Sequence, residues 1–136
     1  PYDFAGSAAL SVAFRTKDQV LALSPEAYES RYAGVLGPSL SGEDRLNSSW
    51  QAISPSVLVS TVDKSNFGRI PRFYFNTGAD DPFFQGAAEL HMTLREAGIK
   101  HRFLVSEGSH DWNFWRQSLE EAIFHINAVF TRGYGE

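Results

Sequence analysis

The second half of the chain alternates between two hydrophobic patterns, and this alternation constrains the fold more than any other feature. Residues 70–78 (IPRFYFNTG) and residues 101–108 (HRFLVSEG) are apolar, β-leaning runs that each end in glycine. Between them, apolar side chains recur at helical spacing over residues 84–94, and Gly98 occupies a position typical of a helix end. Strands that are joined through a helix pair in parallel, because the crossover returns the chain to the same end of the sheet. The sequence therefore predicts an α/β fold with parallel strands and crossover helices.

Two further segments extend this pattern on either side. Residues 5–14 (AGSAALSVAF) are small and apolar, which predicts a buried strand. Asp111 is a favourable N-cap residue and precedes a long stretch with helical periodicity. We expect a long final helix with one apolar face, held in the core by Trp112 and Trp115; lining an acyl or aromatic pocket is the alternative for these two tryptophans. That face comprises Trp112, Trp115, Leu119, Ala122, Ile123, Ile126 and Phe130.

The signals between these segments are weaker. Ser24 followed by Pro25 predicts a helix over residues 25–36, since proline is favoured at the first helical position. Residues 38–56 are rich in Ser, Gly, Pro and Asn, which predicts a loop with a helical turn near 43–52. The β-branched content of residues 57–62 (VLVSTV) favours a strand, whereas the family resemblance described below suggests a short helix.

Composition excludes several functional classes. The chain has 136 residues, of which 43% are hydrophobic and 21% charged, so it is long enough to bury a core. Its net charge of −4, without a Lys/Arg cluster, argues against nucleic acid, and it has no apolar run long enough for a membrane span. It has no cysteine, no metal-binding His spacing and no nucleotide-binding glycine loop, so we expect no cofactor and no metal. None of this indicates a cellular compartment.

An acid and a histidine follow the two predicted strands. Asp81 comes after the first and His110 after the second, and in parallel sheets ligands bind at that carboxyl edge. Such a pair can activate a nucleophile, because the carboxylate orients the imidazole that takes the proton. Simpler interpretations remain open: Asp81 followed by Pro82 also fits a helix N-cap, Asp80 is a competing acid, and His110 could be an ordinary loop residue.

The nucleophile of such a system is not evident. An acid followed by a histidine is the order that α/β-hydrolases use after their serine, which lies in a G-x-S-x-G elbow. The chain has no such motif: GPSLSG at 37–42 has the wrong spacing, and Ser109 adjoins His110 without an elbow. The chain holds at most the acid and the histidine of a triad.

Several motifs in order carry a family likeness. Residues 78–81 (GADD) fit a G-x-x-D pattern, residues 98–101 (GIKH) fit G-I-x-H, and residues 108–112 (GSHDW), with Trp115, fit G-G-H-D/S-W-x-x-W. The chain thus resembles the C-terminal part of an α/β-hydrolase esterase family that includes feruloyl esterases, the esterase D type, enterobactin-type esterases and mycolyltransferases. It departs from the pattern at Ser109, where glycine is usual. The N-terminal PYDFAGSAALSVAF also resembles the family's P-D-L-F-A…L-S-G-A segment.

The resemblance implies a fold, a function and site residues. Residues 1–136 would be the C-terminal half of one α/β-hydrolase domain, with a variable insertion at about 17–69 and a core at about 70–130. Asp81 would be the triad acid and His110 the general base. The serine and the oxyanion hole would lie in a missing N-terminal half of the same protein, so the isolated chain is expected to be inactive.

The expected activity is that of a serine esterase acting on a small-molecule or carbohydrate-linked ester, without a cofactor. Two alternatives stay open. One is an acyltransferase similar to the mycolyltransferases, in which an alcohol resolves the acyl-enzyme. The other is a binding module with the α/β-hydrolase fold and no catalytic activity.

Overall fold

The described residues fold around a parallel sheet of three strands. The computed structural model describes residues 4–63, 65 and 70–132. The strands are β1 (Gly6–Ala9), β2 (Arg72–Gly78) and β3 (His101–Ser106). Strand β2 lies in the middle: Gly6 of β1 is opposite Arg72 on one side, and His101 of β3 is opposite Phe73 on the other. The predicted parallel pairing is confirmed.

Helices occupy most of the remaining described residues. They are α1 (Lys17–Leu21), α2 (Pro25–Arg31), α3 (Ala33–Leu36), a 3₁₀ helix (Gly42–Leu46), α4 (Ser48–Ile53), α5 (Pro55–Ser60), α6 (Phe84–Glu96) and α7 (Trp112–Arg132). The crossovers predicted between the strands are therefore present: α6 joins β2 to β3, and a series of short helices joins β1 to β2.

Strand β1 is shorter than the predicted 5–14. It ends at Ala9 because Ser11 adopts a positive φ of 50°, a left-handed conformation that interrupts an extended strand. Ser11 is buried, and its backbone N–H donates to the side-chain carbonyl of Asn76 on β2 over 2.9 Å. A contact between residues far apart in the chain thus ends the strand, and no local sequence signal predicts it.

The segment between β1 and β2 is more helical than the sequence suggests. The predicted helix at 25–36 is two helices, because Tyr32 leaves helical geometry at φ −123°. The stretch at 57–62 falls largely in α5, so the strand alternative is wrong there; Pro55 begins that helix. Helix α1 was not expected, although Thr16 and Gln19 form a capping box that marks its start.

Arg45 organises this helical segment from within. Its side chain is buried at 3% exposure, and it donates to the backbone carbonyls of Leu40, Val20, Leu21 and Leu23 over 2.8–3.1 Å. The carbonyls of residues 20, 21 and 23 lie at and just after the end of α1, where a helix leaves acceptors without internal partners. The Arg45 guanidinium therefore donates to the carbonyls at the end of α1 and connects that helix to the 3₁₀ helix, which contains Arg45.

Helix α6 covers one face of the sheet. Leu94 at its end packs with Phe75 of β2 and with Ile99, and all three are buried. The predicted helix end at Gly98 is confirmed: Gly98 has φ 76°, and the N–H of Ile99 donates to the carbonyl of Leu94 over 2.9 Å. This cap turns the chain directly into β3.

Helix α7 lies on the opposite face. Its His125 packs on the ring of Tyr74 with centroids 5.6 Å apart, and Val129 and Ile126 lie against Gly6 of β1. The expectation that Trp112 is a core anchor is wrong, and much of the apolar face of the helix is exposed. Trp112, Leu119, Ile123 and Phe130 are 68%, 49%, 59% and 73% exposed. A sheet of three strands is too narrow to cover a helix of 21 residues.

Candidate active site

The loops after β2 and β3 are bonded to each other where both strands end. The N–H of Ala79 donates to the carbonyl of Ser106 over 2.8 Å, and the N–H of Asp80 donates to that of Gly108 over 3.0 Å. The hydroxyl of Ser109 adds a bond of 3.3 Å to the carbonyl of Asp80. These bonds hold the two loops in one position relative to each other.

Gly78 allows the loops to approach this closely. A Cβ atom at this position would lie 2.5 Å from the carbonyl carbon of Gly108 and 3.0 Å from the nitrogen of Ser109. It would lie closer still to the Gly108 oxygen. Glycine is therefore required here by the packing of one backbone on another.

The Asp81 carboxylate joins the two loops through its side chain. Its Oδ2 accepts a hydrogen bond from Nδ1 of His110 over 3.0 Å, and its Oδ1 accepts one from the N–H of Phe83 over 2.8 Å. The side chain of Asp81 is fully buried. Both oxygens are thus held in place at the carboxyl edge of the sheet.

The two candidate acids differ in their surroundings. Asp81 contacts the histidine, whereas Asp80 is exposed. The expected N-cap at Asp81 with Pro82 in the first helical position is wrong, because α6 begins at Phe84 and Phe83 stands at its N-cap position. Asp81 instead bonds the N–H of Phe83 just before the helix, so one carboxylate serves a local turn and His110 at once.

His110 is held by the residues on both sides of it. Before it, Gly108 adopts a φ of 128°. After it, the predicted N-cap at Asp111 is confirmed: its Oδ1 accepts from the N–H groups of Asn113 and Phe114 over 2.9 and 3.1 Å. His110 therefore lies between a glycine turn and the start of α7.

Two aromatic rings enclose the imidazole. The ring of Phe83 lies 4.9 Å from that of His110 between centroids, and Trp115 meets it edge-on at 5.2 Å. Trp112 packs in turn on Trp115 at 5.1 Å. The role of Phe83 was not foreseen from the sequence, although its position two residues after Asp81 could have suggested it.

The arrangement fixes which nitrogen of His110 carries a proton. A carboxylate only accepts hydrogen bonds, so Nδ1 of His110 must donate to Asp81. In the neutral ring Nε2 is then an acceptor, and among the described residues it has no hydrogen-bonding partner. The His110 side chain is 29% exposed. The pair can therefore accept a proton at Nε2 from a group that approaches this nitrogen.

The other three histidines have different roles. Nδ1 of His91 and Nε2 of His101 are 2.7 Å apart, and Nε2 of His125 contacts the backbone carbonyl of Arg72 at 3.0 Å. They are satisfied and partly buried, as the sequence suggested. Burial is the main cause that lowers the pKa of His91 below its usual 6.5, and the nearby His101 lowers it further.

The described residues contain neither a metal-ligand cluster nor a membrane-spanning helix. Across 4–63, 65 and 70–132, no three His, Cys, Asp or Glu side chains are grouped as metal ligands would be. No helix in that part of the chain is both long and apolar enough to span a bilayer.

Comparison with known proteins identifies relatives among esterases. No family model matches the chain. Over 113 residues it is 31% identical to an acetyl esterase from Caldicellulosiruptor saccharolyticus. The match covers 83% of this chain but 39% of the relative, so the chain spans about two fifths of that protein.

Solved structures agree with this likeness. The fluorophosphonate-binding serine hydrolase FphF of Staphylococcus aureus superposes on 90% of the chain with a TM-score of 0.61 and 19% identity. The chain has the fold of part of an α/β-hydrolase. The S-formylglutathione hydrolase FrmB of the same organism gives a TM-score of 0.53 at 20% identity, and 44% of each structure is covered. The resemblance to α/β-hydrolase esterases is confirmed over this part of their length.

Proposed function

We propose that the chain is the acid- and histidine-bearing part of a serine esterase with the α/β-hydrolase fold. The observation that carries the proposal is the hydrogen bond of 3.0 Å between the buried Asp81 carboxylate and His110 Nδ1. It leaves Nε2 directed away from the acid and available to a nucleophile. The likeness to an acetyl esterase supports ester hydrolysis as the reaction.

In the proposed mechanism the serine comes from a part of the protein outside this chain. Nε2 of His110 removes the proton from the serine hydroxyl as its oxygen attacks the ester carbonyl. Asp81 holds the ring in the correct tautomer and stabilises the imidazolium that forms. The imidazolium then protonates the departing alcohol, which leaves an acyl-enzyme. Water, activated by the same nitrogen, attacks the acyl-enzyme, which releases the acid and restores the serine.

The exposed surfaces around β1 support a missing partner segment. Strand β1 lies at one edge of the sheet, where its outer hydrogen-bonding groups have no strand beside them among the described residues. Leu119, Ile123 and Phe130 of α7 form an apolar surface beside Ala8 and Leu10 at this edge. We propose that the N-terminal half of the same protein packs here, adds strands to β1 and brings the serine to His110.

The test of the proposal compares neighbouring acids in the full-length protein. Asp81→Asn and His110→Ala should each lower kcat/KM for para-nitrophenyl acetate by about 1,000-fold or more, because the first disturbs the histidine tautomer and the second removes the base. Asp80→Asn is the matched control and should retain wild-type activity, since Asp80 is exposed. Circular dichroism and thermal melting would show that the variants are folded.

The outcomes separate the proposal from its alternative. Labelling of the wild type by a fluorophosphonate, detected by intact mass, would show that the protein contains a reactive serine. If Asp81→Asn and His110→Ala retain activity within about tenfold, the assigned roles are wrong. If the folded full-length protein neither hydrolyses esters nor takes the label, the esterase proposal fails and a non-catalytic binding module replaces it.

A further inference from the structure

Arg15 lies in an aromatic setting close to the candidate site. Its guanidinium carbon lies 4.4 Å from the centroid of the Phe83 ring and 6.0 Å from that of Tyr32. Its Nη1 also donates a hydrogen bond of 3.3 Å to the Tyr32 hydroxyl. Arg15, Tyr32 and Phe83 are all partly exposed, so this cluster is open to solvent.

The positive charge of Arg15 has no counter-ion in the described part of the chain. There, Arg102 pairs with Glu121 and Lys17 pairs with Glu43, but no carboxylate lies within ion-pairing distance of Arg15. A guanidinium carries five N–H donors in a planar fork, and the contact with Tyr32 uses one of them. The remaining donors match the two oxygens of a carboxylate.

The same Phe83 ring connects Arg15 to the histidine. Phe83 contacts the Arg15 guanidinium at 4.4 Å and the His110 imidazole at 4.9 Å. Its backbone is held by the bond from its N–H to Asp81. Arg15 therefore lies one aromatic ring away from the group proposed to exchange the proton. A substrate that places its ester at His110 can extend over Phe83 to reach Arg15.

We propose that Arg15, Tyr32 and Phe83 form a subsite for a carboxylate group of the ester substrate. The guanidinium would bind both carboxylate oxygens, and the rings of Phe83 and Tyr32 would hold it in position through cation–π contacts. This inference rests on the proposed esterase function. The carboxylate can belong to the acyl part of the ester or to its alcohol part, since the chemistry at Arg15 is the same.

Two substrate pairs distinguish these sources. In the first pair the charge is in the acyl part: the anionic substrate is the para-nitrophenyl monoester of glutaric acid, and its neutral reference is para-nitrophenyl hexanoate. The second carries it in the alcohol part: meta-acetoxybenzoate against its amide. The full-length protein is measured with each substrate as wild type, Arg15→Gln, Arg15→Lys and Arg31→Gln. Arg31 is exposed on α2, so Arg31→Gln removes the same charge without touching the subsite.

The wild type and Arg31→Gln should prefer the anionic member of at least one pair by about tenfold in kcat/KM, as charge-assisted hydrogen bonds allow. Arg15→Gln should abolish this preference, and Arg15→Lys should retain part of it. Rates on the neutral esters should stay within about threefold of wild type, which shows that the fold and His110 are intact.

The possible failures are distinct. If the wild type hydrolyses the neutral esters but shows no preference that depends on Arg15, the subsite is refuted while the esterase proposal stands. The subsite is also refuted if Arg15→Gln lowers the rates on the neutral and anionic esters equally, because Arg15 would then only hold Phe83 in position. If no ester is hydrolysed by the folded wild type, the esterase proposal fails and the subsite inference is refuted with it.

Discussion

Gly78→Ala tests whether the contact between the two loops positions His110. The new Cβ would lie 2.5 Å from the carbonyl carbon of Gly108, whereas carbon atoms in contact are about 3.5–4.0 Å apart. The loop must therefore retreat by about 1 Å or more. Gly78 lies at the end of strand β2 and is not among the glycines with positive φ, so alanine adds this steric cost without a backbone penalty.

The displacement should reach the hydrogen bond between His110 and Asp81. That bond is 3.0 Å long, and a further 0.5–1 Å or so takes it outside hydrogen-bonding range. We expect kcat/KM of the full-length protein to fall about 100-fold, the usual effect of a displacement of about 1 Å in an active site. The free energy of unfolding should fall by about 1–3 kcal/mol, as for other overpacked sites.

Urea unfolding and steady-state hydrolysis of para-nitrophenyl acetate would measure the two effects separately, at a temperature where both variants are folded. Gly34→Ala is the matched control. Gly34 lies in helix α3, and a Cβ atom there would meet nothing within 4 Å. Gly34→Ala should therefore raise the unfolding free energy by about 0.5–1 kcal/mol, because alanine is favoured over glycine in a helix, and it should leave activity unchanged. Wild-type activity and stability in Gly78→Ala would refute the account of the loop contact.

Two further predictions concern stability. Arg45→Met should lower the unfolding free energy by about 3 kcal/mol and speed proteolysis between β1 and β2, because it removes the donor to the carbonyls of Leu40, Leu21 and Leu23. Arg31→Met is the control, and equal proteolysis of both variants would contradict the role of Arg45. The pKa of His91 is lowered in the folded chain, so the unfolded chain binds a proton at this residue more readily than the folded chain does. The unfolding free energy should therefore be unaffected by His91 above pH 6.5 and should fall as the pH drops below that value. His91→Gln should flatten this decline in urea unfolding between pH about 7.5 and about 5, and an unchanged slope would show that other groups cause it.

Features that depend on near neighbours were predictable from the sequence. The sequence pattern predicted β2, β3 and the helix between them, and it located the helix end at Gly98 and the N-cap at Asp111. These signals are local, because a cap or a helical period involves residues within a few positions of each other. The order of Asp81 and His110 after successive strands also predicted that they would lie at one edge of the sheet.

Features that depend on distant contacts were not predictable in this way. The apolar face of α7 looked like a core face, yet Phe130 is 73% exposed because the sheet of this chain does not extend beneath it. Strand β1 ended early through the contact of Ser11 with Asn76. The burial of Arg45 by backbone carbonyls leaves no pattern in the sequence, since its partners are not charged.

The sequence by itself thus determined the kind of fold, and it brought His110 and two candidate acids, Asp80 and Asp81, to the same edge of the sheet. Only the tertiary structure decided that Asp81, and not Asp80, bonds His110 while also holding Phe83, because the packing of the two loops buries the side chain of Asp81 and leaves Asp80 exposed. It likewise brought Arg15 to the Phe83 ring across 68 positions of the chain. Such pairings are set by how the helices and strands pack, and hydrophobic periodicity does not encode the loop geometry that results.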